Sequence, residues 1–318
     1  CLVISLSVAW GCLARASCLV APLLGRVGLH GKSAIPMLMG FGCNVPAVMA
    51  TRTIENRKAR LLTMLVLPFM SCSARLPVYV ILCGAFFPDK AVYVMCLLYA
   101  LGIAIAFAAA AVLNRCYRRG ADSSFVMEIP PYRAPQAASV LRHTWEKGRQ
   151  YLRKMGGIIL VASIAVWLLG YFPRGGEHLT EAQQQGQSYL GHIGHAMEPV
   201  FSPLGFDWRM DVGILAGTGA KELMVSTLGV LYECPEEDAE ADNAGDASQT
   251  RLAAALQTAT TPAAALAYMV FALLYFPCMA TIAAVRSESG RWRYALFAAA
   301  YTTVIAYLAA WGTYVFFG

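Results

Sequence analysis

Long apolar stretches separated by short polar ones run through the sequence and set the expectation for its fold. Six of them reach or approach the ~20 residues that a helix needs to cross a lipid bilayer. They cover residues 2–24, 61–87, 91–113, 156–172, 262–285 and 292–317. Lipid offers no hydrogen-bond partners to the backbone, so apolar stretches of this length form membrane-spanning helices. The pattern therefore predicts an all-α integral membrane protein.

A seventh apolar segment, residues 34–50, cannot be an uninterrupted helix and is called broken segment 1. Gly42 permits backbone conformations that other residues avoid, and Pro46 removes a backbone donor. A thiol and a carboxamide, those of Cys43 and Asn44, lie at the predicted break. Irregular backbone at membrane depth is tolerated where protein buries it or where it lines a wet cavity. The segment is therefore predicted to line a polar site inside the bilayer.

Residues 211–232 form a second interrupted apolar segment, called broken segment 2. Glycines recur through it, and the charged pair Lys221-Glu222 lies near its centre. Ionisable residues are costly inside a membrane and indicate a functional site by default. The alternative is a structural pair that fixes the tip of a re-entrant segment.

Two spans contain a proline-centred polar interruption, and these are called notch 1 and notch 2. Notch 1 is LPFMSC at residues 67–72, with Pro68, and notch 2 is FPCMAT at residues 276–281, with Pro277. Each half of the chain thus runs span, broken segment, notched span, span. Paired interrupted segments in two halves of a membrane protein indicate a binding site near the bilayer midplane.

Loop charge predicts the orientation of the two halves. Residues 114–155 carry nine Lys and Arg against three acids, which is typical of a cytoplasmic loop. If both broken segments are re-entrant, one from each face, every basic loop lies inside and the acidic residues 233–250 lie outside. The halves then form an inverted repeat. The predicted organisation is a first repeat at 1–113, a basic cytoplasmic loop at 114–155 and a second repeat at 156–318.

Composition supports a membrane protein and excludes several enzyme classes. The chain is 58% hydrophobic and 14% charged, with a mean hydropathy of +0.53, whereas soluble domains carry roughly 25% charged residues. Its ten cysteines show no disulfide or zinc-finger spacing. GRVGLHGKS at residues 25–33 lacks the first glycine of a phosphate-binding loop, and no HExxH or GxSxG motif occurs. We expect no enzyme activity, no nucleic-acid partner and no tightly bound cofactor.

Four long motifs resemble the ferrous iron transport protein B family. They are GFGCNVPAVMATRT (40–53), LPFMSCSARLPVY (67–79), KELMVSTLGVLY (221–232) and YFPCMATIAAVRSESG (275–290). The resemblance covers nearly the whole chain, through a membrane permease with two Gate segments. It implies Fe²⁺ uptake across the bacterial plasma membrane. It further implies a GTP-binding domain or small accessory Feo proteins as partners, and allows a homo-oligomer.

The chain departs from the family in two ways. The GTP-binding domain that members carry at their N-terminus is absent, and the sequence begins at Cys1 within an apolar run, so we expect a piece of a longer protein. Members also have an acidic pair near the start of the permease, where this chain has Val8-Ala9. If those carboxylates attract or pass the cation, transport by this chain is weakened.

For ferrous iron, soft ligands discriminate against Mg²⁺ and Ca²⁺, which prefer oxygen. The predicted metal-contacting residues are the thiols, thioethers and oxygen donors at the breaks and notches: Cys43, Cys278, Cys72, Met70, Met279, Asn44, Thr281 and Glu222. Lys221 is expected to pair with Glu222 when the site is empty. Cys43 and Cys278 are expected to converge on one ion if the repeat is inverted.

Other interpretations remain open. Cysteine and methionine at helical spacing usually pack as small apolar groups, and this is expected for Cys83, Cys96 and Cys116. The same scaffold could transport another solute, such as a nucleoside, through polar and aromatic contacts. A decayed, non-transporting membrane partner is a third possibility, suggested by the missing acidic pair and GTP-binding domain.

Overall fold

The computed structural model of the chain describes residues 12–116, 136–172, 186–232 and 244–318. Regular structure within these ranges is helical throughout, which confirms the all-α prediction. The α-helices are, in chain order, α1 (Cys12–Arg26), α2 (Ala34–Gly40), α3 (Asn44–Ala50), α4 (Arg57–Val66), α5 (Leu76–Phe86), α6 (Ala91–Cys116), α7 (Ala137–Tyr171), α8 (Tyr189–Phe201), α9 (Trp208–Gly219), α10 (Leu223–Leu231), α11 (Ala244–Ala259), α12 (Pro262–Leu274), α13 (Met279–Ser289) and α14 (Trp292–Phe317).

Four helical segments of the described chain are long and apolar enough to cross a membrane. They are Arg57–Phe86, Pro88–Cys116, Pro262–Ser289 and Trp292–Phe317, and they coincide with four of the six predicted spans. Of the other two predicted spans, one is represented by α1, whose upstream part lies outside the described residues. The other is represented by the shorter apolar stretch Leu160–Tyr171 at the end of α7.

The notched spans are more deeply buried than the continuous ones. In the notched spans, α4–α5 and α12–α13, 72% and 78% of the most apolar stretch is buried, against 28% in both α6 and α14. The exposed side chains of α6 and α14 are largely apolar, including Leu97 and Leu308, and suit contact with lipid. The interrupted spans are therefore surrounded by protein, where freed backbone groups can find partners.

The chain divides into two compact units, and each combines segments from both predicted repeats. Unit 1 contains Cys1–Ser73, Leu101–Ile158 and Ala280–Ala298. It holds 19 of the 25 Lys and Arg residues but only 5 of the 19 Asp and Glu residues, so its loops carry the charge typical of the cytoplasmic side. Within it, the hydroxyls of Ser33 and Thr63 share a buried hydrogen bond of 2.7 Å.

Unit 2 contains Ala74–Ala100, Ile159–Met279 and Ala299–Gly318. A small apolar cluster of Leu190, Val212 and Leu231 joins α8, α9 and α10. The Cys83 thiol is fully buried and lies 3.6 Å from the sulfur of Met269, as expected for a packing residue.

Polar contacts inside unit 1 connect the basic segments that were predicted to share one face. Lys32 bonds to Glu55 at 2.9 Å. Both Arg52 and Arg60 bind the carboxylate of Glu288, which lies near the end of α13. The short turn before α2 therefore meets the chain after α3, and the latter meets the end of α13. These contacts are those expected if all three segments lie on the cytoplasmic side.

Three predicted loops contain helix. Residues 137–155 belong to the 35-residue α7. The last proline of the predicted 114–155 loop is at position 135, and residues that favour helix follow it. Between the predicted span at 156–172 and broken segment 2, the structure contains α8, and the Ser188 side chain accepts a hydrogen bond from the Gly191 N–H at its start. The acidic segment 233–250 enters α11 at Ala244, and its earlier residues lie outside the described ranges.

Candidate functional site

Broken segment 1 is interrupted at the position that the sequence predicts. Helix α2 ends at Gly40, and the N–H groups of Gly42 and Cys43 both bond to the Met39 carbonyl, at 3.0 and 3.1 Å. Cys43 is extended, with φ −155° and ψ 130°, and precedes α3. Pro46 is the third residue of α3, where the helix does not need its missing donor. The break therefore lies just before the proline.

Broken segment 1 packs directly on notch 1 within unit 1. The backbone N–H and hydroxyl of Ser73, which follows notch 1, both donate to the Gly42 carbonyl, at 3.3 and 2.9 Å. A methyl group added at Gly40 would lie 3.0 Å from Cβ of Met70 and 3.3 Å from Oδ1 of Asn44. The missing side chain at Gly40 thus leaves room beside it for two predicted ligand residues.

Asn44 is a buried polar residue of this unit. Its side chain is 5% exposed, and its Oδ1 meets no hydrogen-bond donor among the described residues. A buried carbonyl oxygen without a donor costs about 1–3 kcal/mol, so its retention needs a compensating role. An amide oxygen held in this way is a ready ligand for a dehydrated cation.

Broken segment 2 is interrupted at the charged pair. Helix α9 ends at Gly219, Ala220 is extended with φ −143° and ψ 134°, and α10 begins after Glu222. Lys221 is buried; its ammonium donates to the Phe276 carbonyl at 2.9 Å and lies 3.1 Å from the centre of the Tyr275 ring. Broken segment 2 therefore packs on notch 2, as broken segment 1 packs on notch 1.

Lys221 does not contact its neighbour Glu222 in this arrangement. No ion pair joins them in the described part of the chain, and Glu222 is exposed. The physical reason is the notch itself. The interruption between α12 and α13 frees the Phe276 carbonyl from helical bonding, and a buried carbonyl needs a donor.

The glycines of broken segment 2 do not interrupt α9, contrary to their interpretation as breakers. The helix continues through Gly213 and Gly217, and these positions let two tyrosines of the α12 span approach. Tyr268 donates to the Met210 carbonyl at 3.2 Å, and Tyr275 donates to the Ile214 carbonyl at 3.3 Å. The glycines serve close packing rather than backbone freedom.

This packing makes a sharp prediction for stability. A methyl group at position 217 would overlap the Tyr275 hydroxyl, so Gly217→Ala should lower the free energy of unfolding by about 1–3 kcal/mol, the usual range for overpacking. Tyr275→Phe removes the obstructing oxygen and should restore most of that loss in the double variant. Thermal unfolding in detergent measures both effects. If the double variant lost as much stability as the two single variants together, the proposed overlap would be contradicted. Gly229→Ala is the matched control, because nothing lies near its added methyl group.

The remaining predicted residues differ in exposure. Met70 and Thr281 are buried, Cys43, Cys72 and Cys278 are half-buried, and Met279 is 45% exposed. Pro68 lies in the short helical turn Leu67–Phe69, and Pro277 lies in the irregular stretch before α13. Of the cysteines expected to pack, Cys83 is buried but Cys96 and Cys116 are exposed. Among the described residues, no three His, Cys, Asp or Glu side chains come together as a metal site.

Sequence reasoning missed two acidic residues that the structure emphasises. Glu288 binds Arg52, which follows broken segment 1, and Arg60 in the first turn of α4. Asp211 is completely buried in α9. Glu288 lies inside one of the four family-like motifs, but nothing in the sequence shows its partners. Asp211 lies in the first turn of α9. Acidic side chains are common at that position of a helix, so its presence in the sequence does not indicate a special role.

Comparison with known families agrees with the geometry. A family profile described as "Gate: Nucleoside recognition" matches residues 1–86 and 152–292, and one described as "Ferrous iron transport protein B C terminus" matches residues 95–147. The first profile covers both broken segments and both notches. The protein is therefore a Gate-containing, multi-pass membrane protein.

Relatives narrow this class. The chain is 46% identical to an Fe(2+) transport protein A/Fe(2+) transporter FeoB fusion protein of Porphyromonas gingivalis, over 98% of this chain and 41% of the relative. It is 42% identical to an Fe(2+) transporter FeoB of Campylobacter jejuni, with shares of 94% and 49%, and 40% identical to one of Methanocaldococcus jannaschii, with shares of 94% and 43%. The chain belongs to the ferrous iron transport protein B family.

The chain spans less than half the length of these three relatives. No solved structure matches it.

Proposed function

We propose that the chain is the ion-conducting membrane part of a ferrous iron uptake protein of the bacterial plasma membrane. The observation that carries the proposal is that each broken segment packs on a notch: Gly42 is bonded to Ser73, and Lys221 to Phe276. The names of the relatives, Fe(2+) transporter, support iron as the solute. In this role the chain is a transporter part and not an enzyme.

The site residues support passage of a dehydrated cation. A bare ion in a low-dielectric interior costs tens of kcal/mol by Born estimates, so the path must replace its water ligands. At the first break, the Oδ1 of Asn44 is buried, meets no donor from the described parts of the chain and lies beside Gly40, which Met70 also approaches. The half-buried thiol of Cys43 comes just before it along the chain. Oxygen and soft sulfur donors together favour Fe²⁺ over Mg²⁺.

At the second break, Lys221 is the main obstacle to a cation. Its ammonium lies on the Tyr275 ring and the Phe276 carbonyl, two residues before the half-buried thiol of Cys278. A fixed positive charge at this position repels an approaching cation. We propose that Lys221 keeps notch 2 closed while it holds this carbonyl, and that Glu222 draws it away when the segment moves.

Partners and energy coupling follow by analogy. A GTP-binding domain supplied outside the described chain would drive or gate the movement, and the fusion named for the Porphyromonas relative suggests an accessory Feo protein. The inverted repeat, with re-entrant broken segments, is also part of the proposal. It is supported by helices of 7, 7, 12 and 9 residues, each too short to cross the bilayer alone.

Selective uptake tests the proposal. Proteoliposomes should contain the chain fused to the GTP-binding domain of a relative, and Fe²⁺ and Mg²⁺ uptake should be measured in the same vesicles under reducing conditions. We expect Fe²⁺ to enter at least about tenfold faster, because a difference of 1.4 kcal/mol in ligand preference is tenfold. Equal uptake of the two ions would refute the soft-ligand argument.

The main alternative is transport of a nucleoside, which the description of the Gate profile names. Uptake of a labelled nucleoside by the same proteoliposomes separates the two solutes. Nucleoside uptake without Fe²⁺ uptake would replace the iron proposal. Failure of both solutes to enter, in vesicles with folded protein, would favour a non-transporting partner.

A further inference from the structure

Asp211 is an ionisable side chain at a position that disfavours a charge. It lies in the first turns of α9 with 0% exposure, between the buried residues Met210 and Val212. Neither of its carboxylate oxygens meets a hydrogen-bond donor among the described residues. An ionised carboxylate without partners is very costly to bury, and such a group binds a proton instead.

The groups around Asp211 add to this preference. Glu198 on α8 and Asp207 at the start of α9 are close enough to act on its charge, and both carry the same sign. The cation nearest along the chain, Arg209, lies over aromatic rings, 5.7 Å from the centre of Trp208 and 5.2 Å from that of Tyr232. The local field therefore opposes a negative charge on Asp211.

The other titratable neighbours complete the surroundings. From α8, His195 lies 3.4 Å from Glu198 and stacks on Trp208 at 4.5 Å. From α12, Tyr268 directs its hydroxyl to the Met210 carbonyl, adjacent to Asp211. From the end of α10, Tyr232 is buried close to Asp207 and Arg209. None of these groups is an obligate cation held against Asp211.

A graded series of carboxyls leads from the surface to Asp211. The side chain of Glu198 is 47% exposed, Asp207 is half-buried, and Asp211 is fully buried. Asp207 and Asp211 are four residues apart, so they share one face of α9. Helices α8 and α9 are in close contact here, since a methyl group at Gly194 would overlap Val212.

The helix that carries Asp211 is also tied to notch 2. Tyr268 and Tyr275 of the α12 span bond to successive turns of α9, at Met210 and Ile214, and Lys221 lies on the Tyr275 ring. A negative charge on Asp211 would weaken the packing of α9 against α8 and α12, because burial of that charge is costly. Loss of the proton would thereby loosen the helix that positions Lys221.

We propose that Asp211 is a proton-binding site in broken segment 2, and that its proton stabilises the packed position of α9 seen here. A metal ligand role fits less well, since Asp211 is inaccessible and no three His, Cys, Asp or Glu donors meet in the described residues. The proton site stands whether or not the chain transports iron. Its consequence for uptake, that pH controls release of notch 2, rests on the proposed function.

Hydrogen exchange of the α9 amides tests the site without any transport assay. The purified chain and its Asp211→Asn variant, which is always neutral, should be compared at about pH 5.5 and about pH 8, within the range where buried carboxyls titrate. We expect equal protection at the lower pH. At the higher pH, α9 of the unmodified chain should exchange up to about tenfold faster than α9 of the variant, since one pH unit of proton preference is tenfold. Asp207→Asn is the control, because Asp207 is partly exposed and should leave most of the difference in place.

Infrared spectroscopy gives a second measurement that does not require the variant to fold well. The unmodified chain at neutral pH should show the carbonyl band of a protonated carboxylic acid that resists exchange with heavy water. In a folded Asp211→Asn variant that band should be missing. Equal exchange of α9 in the two proteins at both pH values, or absence of the acid band from the unmodified chain, would overturn the proposal.

Discussion

Replacing Cys43 or Cys278 by serine is expected to lower Fe²⁺ uptake about tenfold or more, while expression and thermal unfolding change little. Serine keeps the size of the side chain but replaces a soft thiolate with a hydroxyl, and a loss of about 1.4 kcal/mol in ligand strength is tenfold. Both thiols are half-buried beside a helix interruption, so a polar replacement should be tolerated. Uptake of labelled Fe²⁺ by proteoliposomes, normalised to folded protein, measures the effect.

Cys96→Ser is the control for this experiment. Cys96 lies on the continuous helix α6 and is exposed, so its replacement should leave uptake unchanged. Normal uptake by both Cys43→Ser and Cys278→Ser would show that the two thiols are packing residues. In that case the oxygen donors, with Asn44 first among them, would have to carry the cation without sulfur.

The second large effect is expected at Glu288, where substitution should lower the free energy of unfolding by roughly 1–3 kcal/mol. Its side chain is only 4% exposed and is bound by Arg52 and Arg60, which are 48% and 28% exposed. Removing one partner of a buried pair leaves the others unsatisfied. The estimate stays below the range for fully buried pairs because water reaches both arginines. Glu288→Gln keeps the shape and tests the charge alone.

Glu55→Gln is the matched comparison for Glu288→Gln. Glu55 also binds a cation, Lys32, at 2.9 Å, but its side chain is 90% exposed, and exposed ion pairs contribute little. We expect no measurable change in unfolding for this variant. If Glu288→Gln were equally silent, the two arginines would not hold the end of α13, and the contact would have no structural role.

The interruptions could be predicted because their signals are local. Glycines and an extended residue end α2 at Gly40, and a buried charge at Lys221 separates α9 from α10. Helix-breaking chemistry of this kind acts within a few residues, so the sequence shows where it lies. Repetition of the same order in both halves predicts the inverted repeat, which stays a prediction.

The partners of these residues could not be predicted, because they come from distant parts of the chain. Lys221 bonds to a carbonyl 55 residues away, and Arg52 to a carboxylate 236 residues away. A glycine such as Gly217 looks the same in the sequence whether it ends a helix or makes room for a tyrosine. Only the packing of the folded chain distinguishes the two roles. Helix α8 contains glycines and a proline, which favour turns, yet burial of Leu190 and Phe201 stabilises it as a helix.

The most direct test of the central claim, that ferrous iron is carried by soft ligands at the breaks and notches, is X-ray absorption at the iron edge of the Fe²⁺-loaded protein under reducing conditions. The account predicts sulfur neighbours at about 2.3 Å, the distance typical of thiolates bound to first-row divalent metals. The sulfur signal should decrease in Cys43→Ser and Cys278→Ser and persist in Cys96→Ser. A spectrum fitted by oxygen and nitrogen neighbours alone, unchanged in all three variants, would contradict it.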